Sequence, residues 1–131
     1  MNNNLMTKEE MDAFLESIGG LKSGYFTDRP PIISRHFFSV SDGWLGIIKR
    51  LIEDLIELGW NKEICQVKEK FGGLRFYINN GSEDIFRRIR LAEDASYITC
   101  EKCGELGQLR GDGWISTLCE EHSGGKRIIE I

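Results

Sequence analysis

The sequence predicts a small α+β domain, with three helices packed on a small antiparallel sheet and a cysteine-rich module at the C-terminus. Three observations predict this class. Apolar residues recur at helical spacing in three stretches, two alternating runs flank a Gly-Gly pair, and two short pairs of metal-ligand residues lie in the last third of the chain. A chain of 131 residues can bury one hydrophobic core. We therefore expect an α+β core over 1–98, a small module over 99–125 and a tail over 126–131.

The first helix is predicted over about 7–18. Thr7 and Glu10 have the spacing of a capping box, in which each side chain bonds the backbone of the other residue. A Gly-Gly pair follows the helical pattern and ends it. A Pro-Pro pair further along excludes a helix in the next stretch. The apolar stretch 32–40 is therefore either an extended segment or a buried loop.

The second helix, over about 43–58, has the strongest pattern in the chain. Charged residues occupy one side, a glycine follows the last turn, and the other side is apolar. The residues expected on that apolar side are Trp44, Leu45, Ile48, Leu51, Ile52, Leu55 and Ile56. We expect this helix to lie at the centre of the fold.

A β-hairpin is predicted over about 65–78, and a third helix follows it over about 83–97. Two alternating runs lie on either side of Gly72-Gly73, and a glycine pair suits the positive φ angles of a tight hairpin turn. Ser82 can cap the third helix, because acidic residues follow it in the first turn. The residues expected to point inward from this helix are Ile85, Phe86, Ile89 and Ala92.

The most specific pattern lies near the C-terminus. Two residues lie between Cys100 and Cys103, two lie between Cys119 and His122, and 15 residues separate the two pairs. Each gap lets a tight turn point both ligand atoms the same way, and the intervening length allows a hairpin that joins the pairs. Three thiolates and one imidazole select Zn²⁺, and four protein ligands are typical of a structural site. We expect one structural zinc ion per chain in a zinc-ribbon or treble-clef-like finger. The alternative is buried free thiols and an incidental histidine.

One face of the hairpin is a candidate ligand-binding surface. Its residues are Lys68, Lys70, Arg75 and Tyr77. With Gly72-Gly73 as the turn, Lys70 would face Arg75, and this like-charge pair is unfavourable without a carboxylate or an anion between them. Arginine, lysine and a tyrosine hydroxyl suit a phosphate or an acidic partner. The alternative is a solvated face whose charges contact only water.

Glu69 does not follow the alternation of the hairpin. The same pairing places it on the apolar face. We expect it at the edge of the sheet, or paired with a basic residue of the third helix such as Arg87 or Arg88.

Composition restricts the classes of function. Seventeen Lys and Arg against 21 Asp and Glu give a formal net charge of −4, which disfavours a sequence-blind nucleic-acid binder. The N-terminus lacks the basic start and apolar run of a signal peptide, and no apolar run is long enough to span a membrane. We therefore expect a cytoplasmic protein with reduced thiols. No nucleophile, phosphate-binding loop or carboxylate–histidine motif indicates an enzyme.

Three segments together resemble a known family. DGWLGIIKRL, QVKEKFGGLRFYI and CxxCG…GW…LCEEH occur in this order, with the third helix before the last of them. This arrangement is similar to a family of small uncharacterised proteins encoded by phages and prophages, and the resemblance covers about Ser41 to Ser123. It implies zinc ligation by the four Cys and His residues named above and a location in the cytoplasm of an infected or lysogenic bacterium.

The leading hypothesis is a non-enzymatic accessory protein that binds a host factor or a small phosphorylated ligand. By analogy with other small phage proteins, its target could be a bacterial defence system. A nucleic-acid-associated finger protein is the first alternative, and a nucleotide or phosphodiester hydrolase is the second. The sequence leaves the oligomeric state open.

Overall fold

A computed structural model describes residues 5–26, 28–111 and 113–130. The helices are α1 (Lys8–Ser17), α2 (Leu45–Glu57) and α3 (Glu83–Ser96). The strands are β1 (Lys22–Ser23), β2 (Phe38–Ser39), β3 (Glu63–Ile64), β4 (Gln66–Lys70), β5 (Gly73–Tyr77), β6 (Gln108–Arg110) and β7 (Ser116–Leu118). The predicted α+β class is confirmed. Residues 1–4, 27, 112 and 131 belong to the predicted core, module and tail but lie outside the described residues.

Both ends of α1 and the start of α2 follow from local sequence. The capping box at α1 is confirmed, since the Thr7 side chain accepts from Glu10 N and the Glu10 side chain accepts from Thr7 N. The regular part of α2 begins at Leu45, after a short 3₁₀ turn over Asp42–Trp44, and so starts two residues later than predicted. The central position predicted for α2 is confirmed by its buried face.

The hydrophobic core combines α1, α2, the hairpin and one face of α3. Its fully buried large side chains are Trp44, Met11, Leu15, Leu21, Leu45, Ile48, Leu51, Ile52, Leu55, Ile64, Leu74 and Val67. Of the four residues expected to point inward from α3, Ile85, Ile89 and Ala92 are buried. The prediction for Phe86 is wrong, because its side chain lies at the margin of the buried helix face and is 36% exposed.

The hairpin has a different register from the predicted one. Its turn is Phe71-Gly72, with φ angles of 53° and 81°, and Lys68 rather than Lys70 lies opposite Arg75. The predicted pairing of Lys70 with Arg75 is therefore wrong. Moving a two-residue turn by one position changes every cross-strand partner but leaves each side chain on its own face. The apolar side of the hairpin is thus as predicted, apart from the turn residue Phe71, which is exposed.

A third strand joins the hairpin from the stretch that the sequence left open. After a 3₁₀ turn at Arg35–Phe37, β2 pairs with β4 in parallel, so that the order of the sheet is β2-β4-β5. Ile32 forms an isolated bridge with Leu21, and β1 pairs with β3 in parallel. The stretch 32–40 is thus partly extended, and the three-stranded sheet is mixed rather than wholly antiparallel.

Helix α3 covers the free edge of β5. The Ser96 hydroxyl accepts from Leu74 N at 2.8 Å, and Glu93 Oε2 accepts from Phe76 N at 3.0 Å. These two N–H groups point away from β4 and would otherwise lack partners. The side chains of α3 therefore close an edge that would otherwise be open to pairing with another strand.

The C-terminal module is attached to the core by hydrogen bonds from side chains to backbone carbonyls. Trp44 Nε1 donates to Thr99 O at 2.8 Å, and Thr117 Oγ1 donates to Gly72 O at 2.6 Å. Strands β6 and β7 form an antiparallel pair, as predicted for the segment between the two ligand pairs. The module thus contacts both the start of α2 and the hairpin turn. None of the helices in the described parts of the chain has the length and apolar character needed to cross a membrane.

Candidate metal centre

The first ligand pair lies in a tight turn directly after α3. Cys100 N donates to Glu105 O at 2.7 Å, and Gly104 N donates to Cys100 O at 2.9 Å. Gly104 has a φ of 79°, a conformation that residues with a side chain rarely adopt. The chain therefore folds back after Cys103 and leaves both sulfur atoms on one side of the turn, as expected from the two-residue spacing.

The second ligand pair begins where β7 ends. Strand β7 ends at Leu118, and Cys119 is the next residue. Ser123 N then donates to Glu120 O at 3.2 Å, so that the chain turns between Cys119 and His122. The β6–β7 hairpin returns this pair to the first one.

The structure brings all four predicted ligands together. The candidate ligand atoms of Cys100, Cys103, Cys119 and His122 lie within 4.8 Å of one another. Cys103 Sγ and Cys119 Sγ are 3.7 Å apart. His122 Nδ1 lies 3.1 Å from Cys119 Sγ and 4.0 Å from Cys100 Sγ.

These distances fit one tetrahedral metal ion. An ion with metal–sulfur bonds of about 2.3 Å and a metal–nitrogen bond of about 2.0 Å places its ligand atoms about 3.5–3.8 Å apart. The observed separations lie around these values. The cluster could therefore hold a metal ion.

The pKa values of the two thiols in the first pair shift in opposite directions. Burial acts to raise the pKa of Cys100, but hydrogen bonds from the backbone N–H groups of Cys119, Cys103 and Lys102 outweigh it and lower that pKa below the usual range. Burial raises the pKa of Cys103 to about 11, and the adjacent sulfur atoms of Cys100 and Cys119 add to the shift.

Glu69 and Glu101 line a cavity of about 350 Å³ together with Trp44, and Glu101 directly follows the candidate ligand Cys100. Burial raises the pKa of Glu101, the hydrogen bond from Thr117 N opposes that shift, and the charge of Glu69 reinforces it. Glu69 Oε2 accepts from Gly72 N at 2.7 Å, so that a side chain of β4 bonds the backbone of the hairpin turn.

The predicted pairing of Glu69 with Arg87 or Arg88 is wrong. Arg87 pairs with Asp84 in the preceding turn of α3, and Arg88 pairs with Asp54 on α2. Glu69 instead lies at the turn end of the hairpin, where its carboxylate bonds the backbone.

The other candidate surface is here called the basic face, and it consists of Lys68, Lys70, Arg75 and Tyr77. Lys68 and Arg75 are direct cross-strand partners. Lys68 Nζ lies 5.9 Å from the centre of the Tyr77 ring. In the described parts of the chain, no carboxylate comes within salt-bridge distance of Lys68, Lys70 or Arg75. A like-charge pair is therefore present, but it joins Lys68 to Arg75 and not Lys70 to Arg75 as predicted.

Sequence reasoning missed Tyr97 as part of this surface. Arg75 Nη2 donates to the Tyr97 hydroxyl at 2.9 Å, and Arg75 Nη1 donates to Leu74 O at 3.0 Å. Burial acts to lower the pKa of Arg75, but the contact with Tyr97 outweighs it and raises that pKa. No local pattern could indicate this contact, because it depends on how the end of α3 packs beside β5.

Comparisons with protein-family models, with curated proteins and with solved structures find no match. Function must therefore be inferred from the residues of this chain.

Proposed function

We propose that the cluster binds one Zn²⁺ ion and that this ion has a structural role. Three sulfur donors and one imidazole favour zinc over harder cations such as Ca²⁺ and Mg²⁺. Four protein ligands leave no open position for a substrate or a water molecule. The observation that carries the proposal is the convergence of all four ligand atoms within 4.8 Å.

The test is the metal content and stability of Cys103→Ser, measured by native mass spectrometry and thermal unfolding. We expect the wild-type protein to carry one zinc ion per chain and the variant to lose it, with a lower melting temperature. Cys65→Ser is the matched control, because Cys65 lies outside the cluster and bonds Asn79 instead. A Cys103→Ser protein that keeps both its zinc and its melting temperature would contradict the proposal.

The basic face supports a second function, the binding of a small phosphorylated ligand without catalysis. Lys68 faces Arg75 with no carboxylate paired to either residue among the described parts of the chain. An anion between two such cations relieves their repulsion and gains charge-assisted hydrogen bonds. The Tyr77 hydroxyl, which is partly exposed beside them, adds a further donor.

The test of the basic face is binding of inorganic pyrophosphate by isothermal titration calorimetry. We expect the double variant Lys68→Gln/Lys70→Gln to weaken binding by about tenfold or more, because each lost charge-assisted bond weakens association. Lys8→Gln/Lys22→Gln removes the same charge from an exposed surface elsewhere and is the control. Equal loss in both double variants would mean that only net charge matters and would contradict a specific face.

A host protein is the second candidate partner, consistent with the resemblance to phage and prophage accessory proteins. The module exposes large apolar side chains: Leu106 is 81% exposed and Trp114 is 74% exposed. Aromatic residues such as tryptophan are enriched at protein interfaces relative to the rest of the surface. The test is a pull-down from bacterial lysate with the wild type and Leu106→Ser/Trp114→Ser. A partner held equally well by both would exclude this surface.

A further inference from the structure

A groove of about 390 Å³ runs between β5 and α3, beside the basic face. Its helical wall is formed by residues three or four positions apart, which share one side of α3. These residues are Arg87, Arg90, Leu91, Asp94 and Tyr97. Arg75 closes the groove on the strand side. Pockets for small ligands have volumes of about 300–1,000 Å³, and the volume of this groove lies within that range.

The three arginines of the groove differ in how firmly they are held. Arg75 is positioned by Leu74 O and the Tyr97 hydroxyl. Arg90 is exposed, and no carboxylate lies within salt-bridge distance of it in the part of the chain that the structure describes. Arg87 pairs with Asp84 at 3.0 Å, but both side chains are mostly exposed, so the pair adds little stability. Arg90 is thus available to a phosphate, and Arg75 keeps further donors because only two of its five N–H groups are used in these bonds.

Two carboxylates in the same groove disfavour a site for inorganic phosphate alone. Glu93 Oε2 accepts from Phe76 N, while Asp94 is exposed and forms no salt bridge within the described ranges. A carboxylate repels a bare anion but accepts hydrogen bonds from hydroxyl groups. Leu91, which is 59% exposed, adds an apolar patch. The groove therefore suits a ligand that carries both a phosphate and hydroxyl donors.

We infer that this groove binds a phosphorylated sugar, either free or as part of a nucleotide. The phosphate lies on Arg75 and Arg90, and the sugar hydroxyls donate to Asp94. Leu91 contacts the ring or the base. This inference rests on the proposed binding of anions at the basic face and extends that site across the edge of the sheet to α3.

The first test compares the affinities of AMP, ribose 5-phosphate, adenosine and inorganic phosphate for the full chain, by calorimetry. We expect AMP and ribose 5-phosphate to bind, and adenosine and inorganic phosphate to bind at least about tenfold more weakly. Tighter binding of AMP than of ribose 5-phosphate would identify a nucleotide, and equal affinities would identify a sugar phosphate. Inorganic phosphate that binds as well as both would overturn the role of the hydroxyl donors.

The second test compares Arg90→Gln with Arg50→Gln, which removes an exposed arginine from α2 on another surface. We expect Arg90→Gln to weaken AMP binding about tenfold and Arg50→Gln to leave it unchanged. If Lys68→Gln/Lys70→Gln weakens AMP binding while Arg90→Gln does not, the proposed binding site in the groove is contradicted. Anion binding at the basic face is then still supported. If no phosphorylated probe binds the wild type, both proposals fail. Folding is checked for each variant by its unfolding midpoint.

Discussion

At the scale of single residues, the position of the metal cluster depends on a close approach of two backbone segments. Gly43 N donates to Glu101 O at 2.8 Å, and a Cβ atom at Gly43 would overlap the carbonyl oxygen of Cys100. The next residue, Trp44, bonds Thr99 O through its indole. Two consecutive residues thus hold the first ligand pair against the start of α2.

Gly43→Ala should therefore destabilise the protein. The added methyl group meets backbone atoms, which cannot move aside as a flexible side chain can, and overpacking of this kind costs about 1–3 kcal/mol. The measurement is the free energy of unfolding in urea. Gly113→Ala is the control, because a Cβ atom there meets nothing within 4 Å. Equal stability of the two variants would mean that the module does not pack on α2 as described.

At the scale of elements, the hairpin depends on α3 for the completion of its hydrogen bonds. Ser96 accepts from Leu74 N and donates to Glu93 O, so a single hydroxyl satisfies the strand edge and the end of the helix together. Ser96 is fully buried. Side-chain capping of a strand edge fixes the distance between α3 and β5, and that distance sets the width of the groove.

Ser96→Ala should lower stability by about 1–3 kcal/mol, because it leaves the buried N–H of Leu74 without a partner. Thermal or urea unfolding measures the effect. Ser17→Ala is the matched control: its hydroxyl also donates to a carbonyl three residues earlier, but it is exposed and caps no strand. A loss of the same size in both variants would contradict the role of Ser96 at the sheet edge.

Local elements could be predicted from the sequence, whereas their pairings could not. The capping box at Thr7 and Glu10 and the two-residue ligand spacings are set by neighbours along the chain, so the pattern alone indicates them. The hairpin turn was misplaced by one residue, since Phe71 adopts a positive φ that sequence reasoning reserved for a glycine. The contact between Arg75 and Tyr97 joins residues 22 positions apart and has no local signal.

At the scale of the whole molecule, the hydrophobic core and the C-terminal module are stabilised differently. The residues of the main core cluster lie between Met6 and Ala92. Among the described residues after Ala92, Cys100 and Leu118 are the only buried hydrophobic ones. The buried polar residues there include Arg110, which donates to Leu118 O. So small an apolar interior cannot hold the module alone, and we expect metal ligation to supply the difference.

Removal of the metal should therefore unfold the module and leave the core intact. We expect a chelator to speed hydrogen exchange at the amides of β6 and β7, while α2 stays protected. Hydrogen exchange with mass spectrometry resolves the two regions, and added zinc should restore the protection. Cooperative loss of protection in α2 as well would contradict the division into a core over 1–98 and a module over 99–125.

The most direct test of the zinc proposal is X-ray absorption spectroscopy at the zinc edge on the purified full chain. We expect one zinc ion per chain with three sulfur neighbours at about 2.3 Å and one nitrogen at about 2.0 Å. Cys65→Ser should give the same spectrum, because Cys65 is outside the cluster. A protein that holds no zinc, or zinc surrounded by oxygen and water, would contradict the assignment of Cys100, Cys103, Cys119 and His122 as its ligands.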